Sequence, residues 1–408
     1  MEVVISAVVR HGGGGIEDVE RLLHAFREMV NYAIERGLEK GYSLKKLHAE
    51  CYRVFREKYD FHTHFFPQAY RVAQSIIKSW KAGGGGSGDG DKSRPVMRKK
   101  IVRVPRTVFK IDVERGVLLL TIRPNERVEI PLELSDYHRK LLARGDVREV
   151  LLGEEFVYIP IRVHVDLSEP KGFVAVDVNE DNVTYVASDG RAGKIHLGVK
   201  RLKETYHEKR KRVQVKVKGK ERGELLRKYG LRERNRTKDI LHKVTRFLVD
   251  KFKGYAFILE DLKRLRNAAN RKVKKYNKKS KKVQEVSVRS KEMKRRLNST
   301  PFRRIQSYVE YKALLSGSLV HYKSPHNTSK ICARCGGLVN SLRACPTCGL
   351  DRDINACLNL LDVGRCGAPE RLSVEVMRAG CRGVETINAC EVNPSELRKQ
   401  SEGHPLLG

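Results

Sequence analysis

The spacing of hydrophobic residues changes along the chain and predicts a different kind of structure in each part. A short apolar strand spans 2–10, after which hydrophobic residues recur every three to four positions, which predicts helices. From 100 to 165 the period switches to two, with turn residues between the apolar runs, a pattern typical of a small β-barrel. We expect the N-terminal strand to complete this barrel, with the helices inserted into it. The predicted helices span 16–36, 44–59 and 66–80.

A glycine-rich run at 83–91 separates the predicted helices from the predicted strands. Its composition is that of a flexible linker. A phosphate-binding loop would need a preceding strand and a Gly-Lys-Ser/Thr ending, and this run has neither.

Beyond the barrel region, the pattern predicts a mixed α/β domain. Strands within Gly172–Leu197 form a meander, and two long basic helices follow at roughly 200–228 and 234–253. The next strand, Tyr255–Leu262, ends in acidic residues, as the first strand of the meander does. The predicted order then continues with a helix at 302–315 and a strand at 319–322.

Cysteines near the C-terminus have the spacing of a metal site. Two Cys-x-x-Cys pairs are separated by nine residues, and each pair is followed by a glycine that lets the chain turn its backbone N–H groups toward sulfur. This repeated pattern predicts a zinc ribbon, and a four-cysteine site is closed, so the zinc would be structural. Two disulfides or unrelated thiols are the alternative. The predicted zinc ligands are Cys332, Cys335, Cys345 and Cys348.

The charge balance points to a polyanionic partner. The 408 residues include 83 Lys and Arg against 49 Asp and Glu, a net charge of +34. Such an excess favours nucleic acid over a membrane surface, since no apolar run is long enough to span a bilayer. The N-terminus lacks the features of a signal peptide, and nine cysteines, four in metal spacing, suit a reducing interior. We therefore expect a cytoplasmic protein without a membrane partner.

Three carboxylates stand at the ends of predicted elements. Asp177 ends the first strand of the meander, Glu260 ends a later strand, and Asp353 begins an apolar helix after the ribbon. An aspartate at that helix start could instead be only an N-cap. The ordered set on an RNase H-like arrangement of strands and helix predicts a shared site, in which divalent cations offset the like charges and promote phosphodiester cleavage.

The motifs around these residues resemble the TnpB family of transposon-encoded, RNA-guided nucleases with a RuvC core. The resemblance rests on V-A-V-D-V-N-E-D at 174–181, I-L-E-D-L at 258–262, E-Y-K-A at 310–313, T-S-K-I-C-A-R-C-G at 328–336 and D-R-D-I-N-A at 351–356. It is close over 171–362, whereas 1–170 agrees mainly in layout.

The resemblance implies that Asp177, Glu260 and Asp353 bind Mg²⁺, with two ions expected, and that the cysteines bind zinc. It also implies a guide RNA encoded near the gene and a DNA target, both double- and single-stranded, for a prokaryotic, nucleoid-associated protein. The implied domains are 1–11 and 100–170, the wedge β-barrel; 12–82, the helical recognition insertion; 83–99, a linker; 171–327, the RuvC-like core; 328–350, the zinc ribbon; 351–363, the last RuvC helix; and 364–408, a partly disordered tail.

A basic segment at 263–304 is the expected nucleic-acid surface. It holds 18 Lys or Arg against two acids, far more than an ordinary solvated helix face. Arg352, between two acids, could contact a phosphate or form a structural ion pair. The predicted nucleic-acid contacts are Lys272, Lys274, Lys275, Lys278, Lys279, Arg295, Arg296, Arg303 and Arg352.

Three other functions share this core. A compact type V CRISPR effector would be distinguished by a repeat array beside its gene. A nuclease-dead, RNA-guided DNA-binding regulator would lack at least one of the three acids, and all three are present. A transposase acting by strand transfer would use similar carboxylates, although the position of the ribbon favours cleavage.

Overall fold

A computed structural model gives the fold in two compact units, 1–164 and 165–408. The residues it describes are 1–12, 16–83, 94–262, 267, 269–277, 282–324, 330–339, 343–361 and 385–388. Most of the predicted glycine-rich linker and of the C-terminal tail therefore lies outside the described residues. Within the described part, no helix has the length and apolar content needed to cross a membrane.

The first unit combines a helical group with short strands, in the order that the hydrophobic periodicity predicts except for one short helix among the strands. Its helices bury an apolar stripe that includes Phe26, Met29, Phe55, Phe66 and Ile77. The elements are β1 (Glu2–Arg10), α1 (Glu17–Lys40), α2 (Leu44–Lys58), α3 (Phe65–Ala82), β2 (Val102–Pro105), β3 (Phe109–Asp112), β4 (Val117–Arg123), β5 (Glu126–Pro131), α4 (Asp136–Arg144), β6 (Gly145–Val147), β7 (Glu149–Leu152) and β8 (Phe156–His164).

The N-terminal strand joins the later strands, as predicted. β1 pairs antiparallel with β8 along its whole length, from Glu2 opposite His164 to Arg10 opposite Phe156. The sheet has the order β1-β8-β7-β2, with β6 also on β8, and β3-β4-β5 form a separate three-stranded sheet. The three helices α1 to α3 thus lie in the chain between two strands of one sheet.

Helix α4 is an element that the sequence interpretation missed. Ser135 accepts a hydrogen bond from the His138 backbone N–H, and His138 Nδ1 accepts one from the Ser135 N–H, which together form a capping box. Histidine takes the place of the usual Glu or Gln, so the local signal for a helix start was weak.

The second unit is built on one mixed sheet with helices on both faces. Its elements are β9 (Phe173–Val178), β10 (Asn182–Ala187), β11 (Ala192–His196), α5 (Val199–Lys216), α6 (Gly219–Lys251), β12 (Ala256–Glu260), β13 (Lys272–Asn277), β14 (Lys282–Ser287), α7 (Lys291–Ser299), α8 (Phe302–Leu315), β15 (Val320–Lys323), α9 (Arg352–Leu361) and β16 (Glu385–Asn388).

The sheet has the strand order β15-β12-β9-β10-β11-β16. The meander β9-β10-β11 is antiparallel, as predicted, whereas β12 runs parallel to β9, and β15 runs parallel to β12. The parallel edge strand β16 belongs to the tail, where no strand was predicted. Because β9 and β12 are parallel neighbours, their carboxyl ends meet at the same edge of the sheet.

Side chains alternate between the two faces of this sheet. Val174 and Val176 of β9 belong to the core shared with α6 and α8. Ala175 of β9 and Ile258 of β12 belong to the second core, shared with the four-cysteine segment and α9. Full burial of one large aliphatic side chain contributes roughly 1.5–3 kcal/mol, so both layers hold the sheet firmly.

The boundary between the two basic helices differs from the prediction. The sequence interpretation placed the break near 229–233, but the break falls at Val217 and Lys218, before α6. Gly219 has φ +67°, which a left-handed turn needs, whereas Gly230 is accommodated within α6. A single glycine inside a helix costs only about 1 kcal/mol, so Gly230 does not end it.

Candidate functional site

Neighbouring strands bring Asp177 and Glu260 to one edge of the sheet. Val176 of β9 and Leu259 of β12 are the last residues that pair between these two strands, and Asp177 and Glu260 directly follow them. By strand alternation, Asp177 lies on the face of Ala175, the face that packs against α9. Its side chain is buried, and the Asn179 amide donates a hydrogen bond of 2.8 Å to Asp177 Oδ2.

Asp353 lies in the first turn of α9, and it is not the N-cap of that helix. Asp351 Oδ1 accepts hydrogen bonds from the backbone N–H groups of Asp353, at 2.9 Å, and Ile354, at 3.2 Å. Asp351 therefore performs the capping role that the sequence left open for Asp353. That assignment removes the purely structural explanation for Asp353.

The three carboxylates influence one another electrostatically. Burial, followed by the negative charges of Glu260 and Asp353, raises the pKa of Asp177 from 3.8 to about 7. Within the described part of the chain, the carboxylate oxygens of these three residues do not all lie within 4.8 Å of one another. The sulfur atoms of the four cysteines do. The charges of Glu260 and Asp353 thus act on Asp177, but the three carboxylates do not form a closed ligand cage.

Lys194 is a member of this site that the sequence interpretation missed. Its Nζ lies 2.8 Å from Asp353 Oδ2 and 3.2 Å from Asp351 Oδ1. In the sequence it is one polar residue in a short strand, Ala192–His196, in a chain rich in lysine. Only the cross-strand register reveals its neighbours, so no local signal could have found it.

The four predicted cysteines come together. Their sulfur atoms all lie within 4.8 Å of one another, and Cys332 Sγ is 3.5 Å from Cys348 Sγ. A disulfide would need about 2.05 Å, so the disulfide alternative does not hold. Gly336 and Gly349 have φ +71° and +69°, the left-handed turns expected after each pair. Four thiols converging in this way are a donor set suited to zinc.

Asparagines fix the cysteine segment to α9. The Asn355 side chain is fully buried, accepts a hydrogen bond of 2.7 Å from the Ala333 N–H and donates one of 2.9 Å to the Ile331 carbonyl. Asn359 donates to the same carbonyl at 2.8 Å. The position of α9, and hence of Asp353, depends on the folded cysteine segment.

Some of the residues predicted to contact nucleic acid are exposed cations, and others are partly buried or lie outside the described residues. Lys274 and Lys275 are exposed on the hairpin β13–β14, where Lys272 pairs with Glu285 at 3.2 Å. Lys278 and Lys279 lie outside the described residues.

The remaining predicted cations lie on helices α7, α8 and α9. Arg295 and Arg296 are partly buried on α7, and Arg296 Nε donates a hydrogen bond of 2.8 Å to Glu180 Oε1. Arg303 is exposed and lies 5.1 Å from the centre of the Tyr322 ring. Arg352 is exposed, and no acid of the described residues pairs with it within 4.0 Å, so the structural ion pair considered above is not formed there.

Comparison with solved structures defines the class of the fold. A cryo-EM structure of a Cas12f1–sgRNA–target DNA complex aligns with TM-score 0.51 and 14% identity, covering 85% of this chain and 82% of that one. A structure of the mini-RNA-guided endonuclease CRISPR-Cas_phi3 aligns with TM-score 0.51 and 9% identity, covering 91% and 93%. The chain thus has the mixed α/β fold of these compact nucleases.

Sequence relatives identify the family. Residues 302–360 match the family described as Cas12f1-like, TNB domain, and residues 22–119 match the uncharacterized protein MJ0013 family. The TnpB-like protein MJ0751 of Methanocaldococcus jannaschii is 30% identical over 289 residues, which cover 65% of this chain and 97% of that protein. TnpB-like protein MJ1635 of the same organism is 24% identical, covering 76% and 70%. The chain belongs to the TnpB-like family.

Proposed function

We propose that this protein is an RNA-guided DNA endonuclease of a transposable element, which hydrolyses phosphodiester bonds of its target. The observation that carries the proposal is the burial of Asp177 beside Glu260 and Asp353, where burial, followed by the two like charges, raises its pKa to about 7. Repelling carboxylates of this kind fit hard divalent cations. A regulator without nuclease activity would have no need to maintain such a costly cluster.

The residues present suit magnesium in the carboxylate site. Asp177, Glu260 and Asp353 would hold the ions, with two expected, and bound Mg²⁺ would supply Lewis-acid activation of water and of the leaving oxygen. Asn179 orients the Asp177 carboxylate through its 2.8 Å hydrogen bond. Arg352 carries an exposed positive charge beside these acids and would bind a DNA phosphate.

The cysteine segment would hold structural zinc and thereby position α9. We propose that 328–350 is the zinc ribbon, 171–327 with 351–363 the RuvC-like nuclease core, 1–11 with 100–170 the wedge β-barrel and 12–82 the recognition insertion. The pairing of β1 with β8 around the helical insertion supports the last two assignments. The Cas12f1 structure is a complex with sgRNA and target DNA, and we propose that this chain binds the same classes of partner, a guide RNA and a DNA target.

Lysine and arginine would grip the nucleic-acid backbones, while base pairing reads the sequence. The exposed Lys274, Lys275 and Arg303 are the described cations most available for this contact. The guide RNA would come from the flank of the gene, as in a transposable element, rather than from a CRISPR repeat array.

The nuclease site is tested by replacing its acids in the protein–RNA complex. Asp177→Asn and Glu260→Gln are expected to abolish cleavage of a DNA target matched to the co-purified RNA, in Mg²⁺, while RNA binding stays nearly intact. Asp189→Asn is a matched control, because Asp189 lies in the turn at the other end of this sheet and pairs with Arg191. Cleavage retained by both variants would refute the site, whereas loss of RNA binding would mean that the variants are misfolded.

A further inference from the structure

Lys194 lies in a row of residues that crosses three strands. Asp177 on β9 is opposite Thr184 on β10, and Thr184 is opposite Lys194 on β11. Residues directly opposite in a sheet share a face, so the Lys194 side chain leaves the sheet on the same side as Asp177. With about 4.8 Å between strands, the two backbones are roughly 10 Å apart, and Lys194 approaches the site from the side opposite Glu260.

The ammonium of Lys194 connects the helix cap to the third acid. Nζ lies 2.8 Å from Asp353 Oδ2, and 3.2 and 3.3 Å from the two oxygens of Asp351. These three acceptors match the three N–H donors of an ammonium. The lysine side chain is only 18% exposed, and the Asp353 side chain is 23% exposed, so water competes weakly for the contact.

Asp351 and Asp353 are held differently. Asp351 Oδ1 is fixed by two backbone N–H groups of α9, in addition to Lys194. The ion-pair partner that the structure gives Asp353, within the described part of the chain, is Lys194. The direction of the Asp353 carboxylate therefore depends on this lysine more than that of Asp351 does.

We propose that Lys194 is a positioning residue of the nuclease site, which holds the Asp353 carboxylate in its metal-binding direction and offsets its repulsion from the other two acids. The proposal rests on the function proposed above, in which Asp353 is a metal ligand. A neighbouring side chain that orients a metal ligand usually accounts for a 10- to 100-fold effect on metal affinity. An ion pair that only stabilises the fold would change stability and leave metal affinity alone.

The test measures Mn²⁺ binding to the full-length, zinc-loaded chain at pH 8 by calorimetry and by electron paramagnetic resonance. Lys194→Met keeps most of the length of the side chain and removes its charge, and we expect about tenfold weaker Mn²⁺ binding. Lys194→Arg retains a cation and donors, and should restore most of the affinity. Arg191→Met is the matched control, since it removes a comparable ion pair of the same sheet, 2.7 Å to Asp189, and should leave Mn²⁺ affinity unchanged.

Asp353→Asn separates failure of this proposal from failure of the function on which it rests. If Asp353→Asn leaves Mn²⁺ affinity unchanged, the metal site itself is wrongly assigned. If Asp353→Asn weakens binding but Lys194→Met leaves it equal or makes it tighter, the metal site stands, and the positioning role of Lys194 is refuted. Circular dichroism of each variant establishes that it is folded, and the Arg variant covers the case in which Met disrupts the fold.

Discussion

Asp177→Asn is predicted to stabilise the protein at alkaline pH, even though it destroys the proposed site. In the folded chain the Asp177 pKa is about 7, because of burial and the charges of Glu260 and Asp353, against 3.8 for an ordinary aspartate. A raised pKa means that the folded state binds this proton more tightly than the unfolded state. Its stabilising contribution is therefore complete below about pH 4 and is lost as the pH rises through 7.

The size of the effect follows from the shift. A pKa difference of about three units corresponds to roughly 4 kcal/mol, with little solvent screening because Asp177 is buried. Asparagine has nearly the same shape and no charge, so at pH 8 the variant should be more stable by up to about that amount. At pH 4 the two proteins should differ little.

The assay is denaturant unfolding of both proteins from pH 4 to pH 8, without magnesium and then with it. Magnesium should stabilise the parent protein at pH 8 and the variant much less, since its ligand is gone. Asp189→Asn is the control with the opposite sign. Burial alone would raise the pKa of Asp189, but hydrogen bonds from Arg191 and Tyr255 outweigh burial and lower this pKa. The Asp189→Asn variant should therefore be destabilised at pH 8. A variant Asp177→Asn that is no more stable at pH 8 than its parent would refute the electrostatic account.

Three further predictions concern the surroundings of the site. Cys345→Ser should lose one equivalent of zinc, measured by elemental analysis, and most cleavage, because the ribbon fixes Asn355 of α9; full zinc content with full activity would contradict this. Burial, followed by the charge of Arg246, lowers the pKa of Lys312 to about 7. The free energy of unfolding should therefore rise between about pH 7 and pH 10, because the unfolded chain binds this proton more tightly than the folded one. Lys312→Met should remove that rise in unfolding titrations. Gly193→Ala should cost about 1–3 kcal/mol in the free energy of unfolding, since a Cβ would overlap the Tyr185 hydroxyl, and an unchanged value would show that the strand can shift.

Local patterns in the sequence predicted the parts of the site that are local in the chain. Alternating apolar runs located the meander, and the repeated Cys-x-x-Cys-Gly located the cysteine cluster, because each depends on residues close in sequence. Asp177 and Glu260 could be predicted as candidates because acids at the ends of buried strands stand out against apolar neighbours.

The parts that were missed depend on pairing between distant segments. Lys194 meets Asp353 only through the register of three strands and the packing of α9 on the sheet. The capping role of Asp351 could not be separated from Asp353 without the backbone direction at the helix start. The edge strand β16 is added from a tail whose sequence has no strong strand pattern.

Guide-directed DNA cleavage is tested most directly by sequencing the RNA that co-purifies with the protein and then changing its guide. We expect one defined RNA from the flank of the gene, ending in a variable guide. Changing that guide should move Mg²⁺-dependent cleavage to the new matching DNA site. A defined RNA derived from CRISPR repeats would assign the protein to the CRISPR effectors instead. Cleavage at sites that do not change with the guide, or purification without a specific RNA, would contradict RNA-guided cleavage and leave an unguided basic nuclease.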